Sequence, residues 1–406
     1  MKKIAILHFA YSPNIGGVEK LVEDQANILE RLGFEVKIIT GNGKRNNEKI
    51  EVVNIPEFQS VMNFNPTLQN KMFKKGIFDE EFNRLSYLIE EKLNNNLSDI
   101  DTIIIHNMLT ISRNLPFINA FDAYTKRNKS KKIIVWVHDH MYIKNNEIVT
   151  GTVKSSDLEY KLITTPLKNA QYVTISETLG KNLIEVMSLN KSNFRVIPNG
   201  INIKSFLEID DSIWNIVKDY GLLNKFPLIL SPINILERKN IEFSLKLINK
   251  LKKYYPNIFY MISGKASQHR DTQTYFESIF EMVNKLGLND NILFLSKKFQ
   301  HSLANSELHD LYDLSDVIFY FSKSENFGIP ILEAGATKTP IFTSDIAIFK
   351  EIGKDNIFHL DTDDSENASR LIFNFFESNK AGLLFKDVKM NYNLETIIKE
   401  KLVPLL

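Results

Sequence analysis

The chain has 406 residues, 43% of them hydrophobic and 24% charged, with a formal net charge of +1 and no cysteine. That length predicts two or three domains with ample core, and the near-neutral charge argues against broad nucleic-acid binding, which a basic surface drives. Without cysteine there are no disulfides, no thiolate chemistry and no Cys-built zinc sites, which fits a reducing cytoplasm; no apolar run of about 18 or more residues predicts a membrane span.

Lys2-Lys3 and the apolar run behind them superficially resemble a signal peptide. The run contains His8 and lacks a small-x-small cleavage site, so Ile4–Phe9 reads as a first strand. Tyr11-Ser-Pro-Asn-Ile-Gly-Gly-Val-Glu19 then turns into a helix predicted over Gly17–Leu32, with Val18, Leu21, Val22, Leu29 and Leu32 on one face and Gly33 as its stop. Strands are predicted at Val36–Thr40, Ile50–Ile55, Thr102–His106 and Lys132–His138, with helices near Glu80–Asn95 and Asn114–Arg127. Val173–Ser176, a helix from Glu177 to about Leu189, and Phe194–Ile197 lead to the turn Pro198-Asn-Gly200.

A second series begins there. Strands are predicted at Leu228–Leu230, Ile258–Ile262, Ile292–Leu295, Val317–Phe321, Ile341–Thr343 and Ile357–Leu360. Helices fill the gaps at Asn240–Tyr254, Thr272–Leu286, Ser306–Tyr312, Gly328–Thr337 and Ser365–Glu377. Strands flanked by helices favour parallel sheets, and two such series predict two doubly wound α/β domains, 1–200 and 201–387. The last stretch, Val388–Leu406, carries its own apolar period through Leu394, Ile397, Ile398 and Leu402.

Ligands of such sheets sit beyond the carboxyl ends of the strands. Gly16-Gly17, His106-Asn107, His138-Asp139-His140, Gly264 and Glu325 all fall at those ends, in both halves, so a cleft between the domains is the economical expectation. Adjacent glycines let backbone N–H groups approach a phosphate or sugar without Cβ interference, although an isolated Gly-Gly is more often a plain turn. The three polar residues after Trp136 bring no further ligands at metal spacing, so no metal is expected. Asn107 and Arg113 are candidate acceptor readers, with Asn114 explained in part as a helix cap. Phe64–Asn95 interleaves Lys71, Lys74 and Lys75 with Met72, Phe73 and Phe78. Peripheral membrane contact is one explanation; an amphipathic helix with a wet basic face is favoured, because Glu80, Glu81, Glu90 and Glu91 balance the charge.

The most informative stretch is Glu325-Asn-Phe-Gly-Ile-Pro-Ile-Leu-Glu333, entered from a buried strand. Gly328 permits close backbone approach, and Pro330 suits a first helical turn. The helix N-terminus offers unpaired N–H groups to a diphosphate. Glu333 is expected inside that first turn and Glu325 in the loop before it, one carboxylate for ribose hydroxyls and the other for a sugar.

This block resembles the Glu-x7-Glu signature of retaining glycosyltransferases of family 4, which have the GT-B fold: two Rossmann-like domains facing a central cleft. That pattern commonly reads E-G-F-G-x-P-x-x-E-A; Glu325, Phe327, Gly328, Pro330, Glu333 and Ala334 match it, and Asn326, tolerant of positive φ, replaces a Gly. The resemblance spans nearly the whole chain. It implies an NDP-sugar donor, UDP- or GDP-linked, with a hexose moved to a hydroxyl of a sugar, glycan, lipid-linked or small-molecule acceptor, no cofactor and no metal. It places Gly16, Gly17, Asn234, Arg238, Lys239, Gly264, Asn326, Phe327, Gly328, Ile329 and Glu333 on the donor. Glu325, His138 and Lys239 are implied at the reaction centre; Glu19, Asn107, Arg113 and Asp139 are candidates for the acceptor. It also implies a C-terminal helix, about 388–406, returning to the N-terminal domain.

One departure stands out. The family's diphosphate-binding Arg falls on Asn234, while its Lys matches Lys239, and Arg238 beside it is a candidate replacement. An NDP-sugar epimerase or hydrolase, a disaccharide phosphorylase, and an inactive nucleotide-sugar-binding protein stay open as alternatives on the same fold. Cytoplasmic location, with peripheral contact at the inner membrane face as a variant, is the expectation for such an enzyme.

Overall fold

A computed structural model describes residues 2–13, 16–144, 147–148, 158–265, 270–299 and 302–406. The chain divides into two compact units, Met1–Gly200 with Leu394–Leu406, and Ile201–Asn393.

The first unit holds strands β1 (Lys3–His8), β2 (Glu35–Thr40), β3 (Glu51–Asn54), β4 (Thr102–His106) and β5 (Lys132–Val137). A small antiparallel pair, β6 (Ile143–Lys144) and β7 (Glu147–Ile148), precedes β8 (Ala170–Thr174) and β9 (Phe194–Val196). All but the small pair form one sheet in the order β3-β2-β1-β4-β5-β8-β9, with every pairing parallel. Unbroken apolar strands such as Ile4–Leu7 and Ile103–Ile105 belong in a sheet covered on both faces. Side chains alternate across it. Ala5, Leu7, Ile103, Ile105, Ile133 and Val135 pack into one core layer, whereas Ile4, Ile6, Ile104, Ile134 and Trp136 pack into another against Leu21, Val22, Ala26 and Leu29 of the helix Gly17–Arg31.

That second layer also takes in Leu394, Ile397, Ile398, Leu402 and Leu406. The carbonyl of Leu406 accepts from Lys2 Nζ at 2.9 Å and Lys132 Nζ at 3.1 Å. The C-terminal segment that packs here begins at Leu394, later than the sequence-based boundary at Val388. Residues before it stay in the second unit because the helix Lys380–Asn391 is pinned there: Lys389 is buried and bonds both oxygens of buried Asp316, at 3.1 and 3.2 Å.

The second unit carries β10 (Leu228–Ser231), β11 (Phe259–Ile262), β12 (Ile292–Phe294), β13 (Val317–Tyr320), β14 (Ile341–Ser344) and β15 (Phe358–Leu360), in the parallel order β12-β11-β10-β13-β14-β15. Apart from the small pair β6 and β7, which was not predicted, each strand falls within a residue or so of its predicted place. The exception is β8, three residues early, because Ser176 is spent as an N-cap: its Oγ accepts from Leu179 N–H at 3.2 Å, so the chain must leave the sheet before it.

The stretch read as an amphipathic helix over Phe64–Asn95 holds two helices, Pro66–Lys75 and Glu80–Leu97, and helices Leu158–Thr164, Asp211–Asp219, Ala347–Gly353 and Lys380–Asn391 were not predicted. On Pro66–Lys75, Lys71 is paired with Asp79 at 3.0 Å and Glu81 at 2.8 Å, so part of the basic face is neutralised within the unit. Among the described residues no helix is long and apolar enough to cross a membrane.

Candidate active site

In the second unit, the chain leaving β13 makes a polar turn and enters the helix Ile329–Thr337. Gly328 caps that helix with φ of 115°, a conformation L side chains avoid, and a Cβ there would lie 3.1 Å from Phe349. Gly328 therefore makes the turn; Asn326 keeps negative φ, so the tolerance expected of it is not used. Pro330 stands in the first turn as expected, whereas Glu333, the fifth residue counted from Ile329, lies just past the first turn in which it was expected. Phe327 and Ile329 are exposed beside the turn.

Glu325 lies in the turn, nearly buried, and its Oε1 accepts from two cations: Arg238 Nη1 at 2.6 Å and the Lys239 ammonium in a tight ion pair. Arg238 and Lys239 belong to a short helical turn after β10, tied to this loop by Lys323 N–H donating to Arg238 O at 2.7 Å. Burial raises the Glu325 carboxyl, but the Lys239 bond and the charges of Lys239 and Arg238 outweigh it and hold the group below its ordinary value. Burial also lowers Lys239, whose Nζ lies 5.0 Å from the Tyr320 ring centroid. The pair is thus an ionised carboxylate facing a partly desolvated ammonium.

Glu333 Oε2 accepts from Tyr312 OH at 2.8 Å. Burial, and then the hydrogen bond to Glu333, push the phenol well up, so Tyr312 remains a donor. Both residues line a cavity of about 260 Å³ with Asn305, Leu308, His309 and Thr337. Leu308 is shared with a second cavity of about 210 Å³, lined on its apolar part by Leu295, Phe299 and Leu303 and on its polar part by Asn234, Ser263 and Ser296 beside Gly264. A Cβ on Gly264 would lie 2.3 Å from Ile233 O, so only glycine fits where the loops after β10 and β11 cross. Asn234 fastens that crossing, its Oδ1 accepting from Lys265 N–H at 3.3 Å.

In the first unit, the helix Gly17–Arg31 begins beyond β1. Glu19 folds back over its own helix start: a Cβ on Gly16 would lie 2.0 Å from Glu19 Oε2, whereas one on Gly17 would meet nothing. The His8 ring, whose Nε2 lies 3.6 Å from Glu19 Oε1, is the largest cause holding the Glu19 carboxyl below its ordinary value. His106 and His138, at the ends of β4 and β5, stack with ring centroids 5.4 Å apart and bond Nδ1 to Nε2 at 3.0 Å; His106 Nε2 bonds Gln25 Oε1 at 2.9 Å. Burial, with His8 nearby, lowers His138 to about 4, so at neutral pH it is an uncharged imidazole.

Asn107 is spent on the backbone. It stands at φ of 56°, and its Oδ1 accepts from the N–H groups of His138 at 3.1 Å and Asp139 at 2.8 Å, while its Nδ2 donates to Asp139 Oδ2 at 3.2 Å. Arg113 lies over the Phe9 ring at 5.8 Å, and Asn114 caps its helix by accepting from Phe117 N–H at 3.0 Å. Among the described residues no group of three His, Cys, Asp or Glu side chains is arranged to hold a metal ion.

A family profile described as glycosyl transferases group 1 matches residues 212–390, and one described as Glycosyltransferase Family 4 matches residues 15–205. The chain belongs to glycosyltransferase family 4. Its two doubly wound parallel sheets are the GT-B fold of these transferases. The chain is similar to the mannosylglucosylglycerate synthase of Thermotoga maritima, 22% identical over 86% of this chain and 82% of that protein. The O-antigen chain mannosyltransferase RfbU of Salmonella typhimurium is 25% identical over 58% of this chain and 60% of its own. A solved glycosyltransferase from Rickettsia africae aligns over 100% of this chain and 97% of that one, with 19% identity and a TM-score of 0.39.

For this glycosyltransferase the structure brings Arg238, Lys239 and Glu325 together, and sets Asn234 and Gly264 in one cavity wall with Glu333 in the next. Tyr312, His8 and Gln25 were missed from sequence. Gln25 did leave a signal, being a polar residue on the apolar side of its helix among Leu21, Val22 and Leu29. Tyr312 left none, since its partner lies on another helix.

Proposed function

We propose that the chain is a retaining hexosyltransferase that moves a sugar from an NDP-sugar to a hydroxyl acceptor. The observation that carries this reading is the convergence of Arg238 and Lys239 on Glu325 at the mouth of a glycine-capped helix, with Glu333 held by Tyr312 one turn along. Cations and helix N–H groups there would stabilise the diphosphate as negative charge develops on it, where preorganised donors lower a barrier most. Glu333 takes ribose hydroxyls, and the cavity of mixed polar and apolar lining across Leu308 takes the base. From the first unit, uncharged His138 is assigned to the transferred sugar, and Glu19, Arg113 and Asp139 to the acceptor. The charges that balance the leaving group are side chains of this chain.

Retention is supported by the Glu-x7-Glu pattern, and relatives named as mannosyltransferases put mannose first among sugars to try. The test is a thermal-shift screen of UDP, GDP, ADP and their sugars, followed by NMR of the anomeric proton in the product. A nucleotide at about 100 times its dissociation constant adds roughly 2.7 kcal/mol, enough to rank the bases. No shift with any nucleotide overturns the reading; a product of inverted configuration overturns retention alone.

A further inference from the structure

Glu325 is needed by the proposed reaction, yet one of its oxygens already engages both cations of the site. Its Oε1 accepts from Arg238 Nη1 at 2.6 Å and from Lys239 Nζ, and Arg238 Nη1 also donates to Ser324 O at 3.1 Å. Two charged donors that share one acceptor oxygen are both within reach of any single anion in its place. Asn234 is neutral and bonded to Lys265, so it supplies no charge of its own. The backbones of the two loops are fastened by Lys323 N–H on Arg238 O at 2.7 Å, so the cations can change partner by side-chain rotation alone.

We propose that Arg238 and Lys239 form a two-cation diphosphate site that the Glu325 carboxylate occupies from within, as an internal competitor of the nucleotide. This rests on the reading of the chain as an NDP-sugar transferase. The donor diphosphate takes over both cations, and Glu325 is thereby released toward the transferred sugar. After transfer the carboxylate returns to Arg238 and Lys239 and helps displace the spent nucleotide. Arg238, rather than residue 234, is the second cation of the site.

The competition predicts a gain where loss of a binding residue would predict a deficit. Calorimetric titration with UDP and GDP compares the unsubstituted protein with Glu325→Gln, Arg238→Gln and the double variant. Glu325→Gln should bind the preferred nucleotide about tenfold more tightly while turnover falls, the affinity equivalent of one charge-assisted hydrogen bond no longer opposed. Arg238→Gln should bind about tenfold more weakly, and in the double variant the gain from Glu325→Gln should shrink, because half of what Glu325 held is gone. Thermal melts of each variant check that it folds. Should Glu325→Gln not fold, Glu325→Asp, one methylene shorter, must tighten binding in the same direction. Unchanged or weakened affinity in the folded Glu325 variants overturns the competition while leaving the transferase reading in place. No binding of UDP or GDP to any of the proteins, with no thermal shift from ADP either, overturns both.

Discussion

If Glu333 binds ribose as proposed, its carboxylate must be held still, and at the residue scale Tyr312 holds it. The 2.8 Å bond fixes one carboxylate oxygen and leaves the other for a ligand, in a pocket that Tyr312 itself lines. A neutral hydrogen bond contributes about 1 kcal/mol net, and one to a charged group about 1.5–3 kcal/mol. Tyr312→Phe removes the phenolic donor and almost nothing else. We therefore expect nucleotide affinity to fall by about fivefold to tenfold, with the preference for ribonucleotide over its 2′-deoxy form reduced, and with turnover at saturating donor nearly unchanged. Titration of both nucleotide forms against the variant checks this. Equal losses for the ribo and deoxy forms would place the effect elsewhere than on the ribose.

At the scale of elements, the strands were legible because parallel, doubly covered strands must be continuously apolar. Ile103–Ile105 and Val317–Phe321 admit no other reading in an alternating chain. The turn into Ile329–Thr337 was legible for a similar local reason, a glycine at positive φ followed by proline. Helix Asp211–Asp219 was hidden because its start signal, Asp210 accepting from Ser212 N–H at 2.8 Å, is a single short side chain in a charged stretch. Glu19 folding back onto Gly16, and Asn107 tying β4 to β5, depend on pairings the local pattern does not record. Gly264 sits between these cases: its place at a strand end was readable, its steric necessity was not. Replacing it by alanine sets a methyl 2.3 Å from Ile233 O and 2.6 Å from Asn234 Cα, both backbone atoms that cannot rotate aside. Gly264→Ala should destabilise the second unit by about 1–3 kcal/mol, the usual cost of overpacking. Denaturant melts measure it; a loss below about 0.5 kcal/mol would mean that the loop crossing relaxes to accept a methyl group.

On the scale of the whole molecule, the two units differ in what acid does to them. The first buries His8, His106, His138 and His140, whereas the second, among its described residues, buries no histidine. Burial lowers His138 and His140 from 6.5 to about 4, and burial with the nearby His138 lowers His106 well below its ordinary value. In the window between 6.5 and about 4 the unfolded chain binds protons that the folded unit refuses, so stability rises with pH there. The stabilisation from neutral burial is complete above the unfolded value and is lost as pH falls toward the folded one, with each fully shifted histidine worth on the order of 3 kcal/mol. Each unit carries its own reporter. Trp136 stacks on His106 at 5.2 Å in the first, and Trp214 packs in the core of the second. Fluorescence-detected urea unfolding of Trp214→Phe and Trp136→Phe variants therefore follows one unit at a time. Between pH 7 and about 4.5 the midpoint reported by Trp136 should fall sharply while that reported by Trp214 should not. Burial raises the Asp313 and Asp316 carboxyls of the second unit, so protons taken up there favour its folded state. Two midpoints that shift together would show that the units unfold as one, or that the buried imidazoles accept protons without cost.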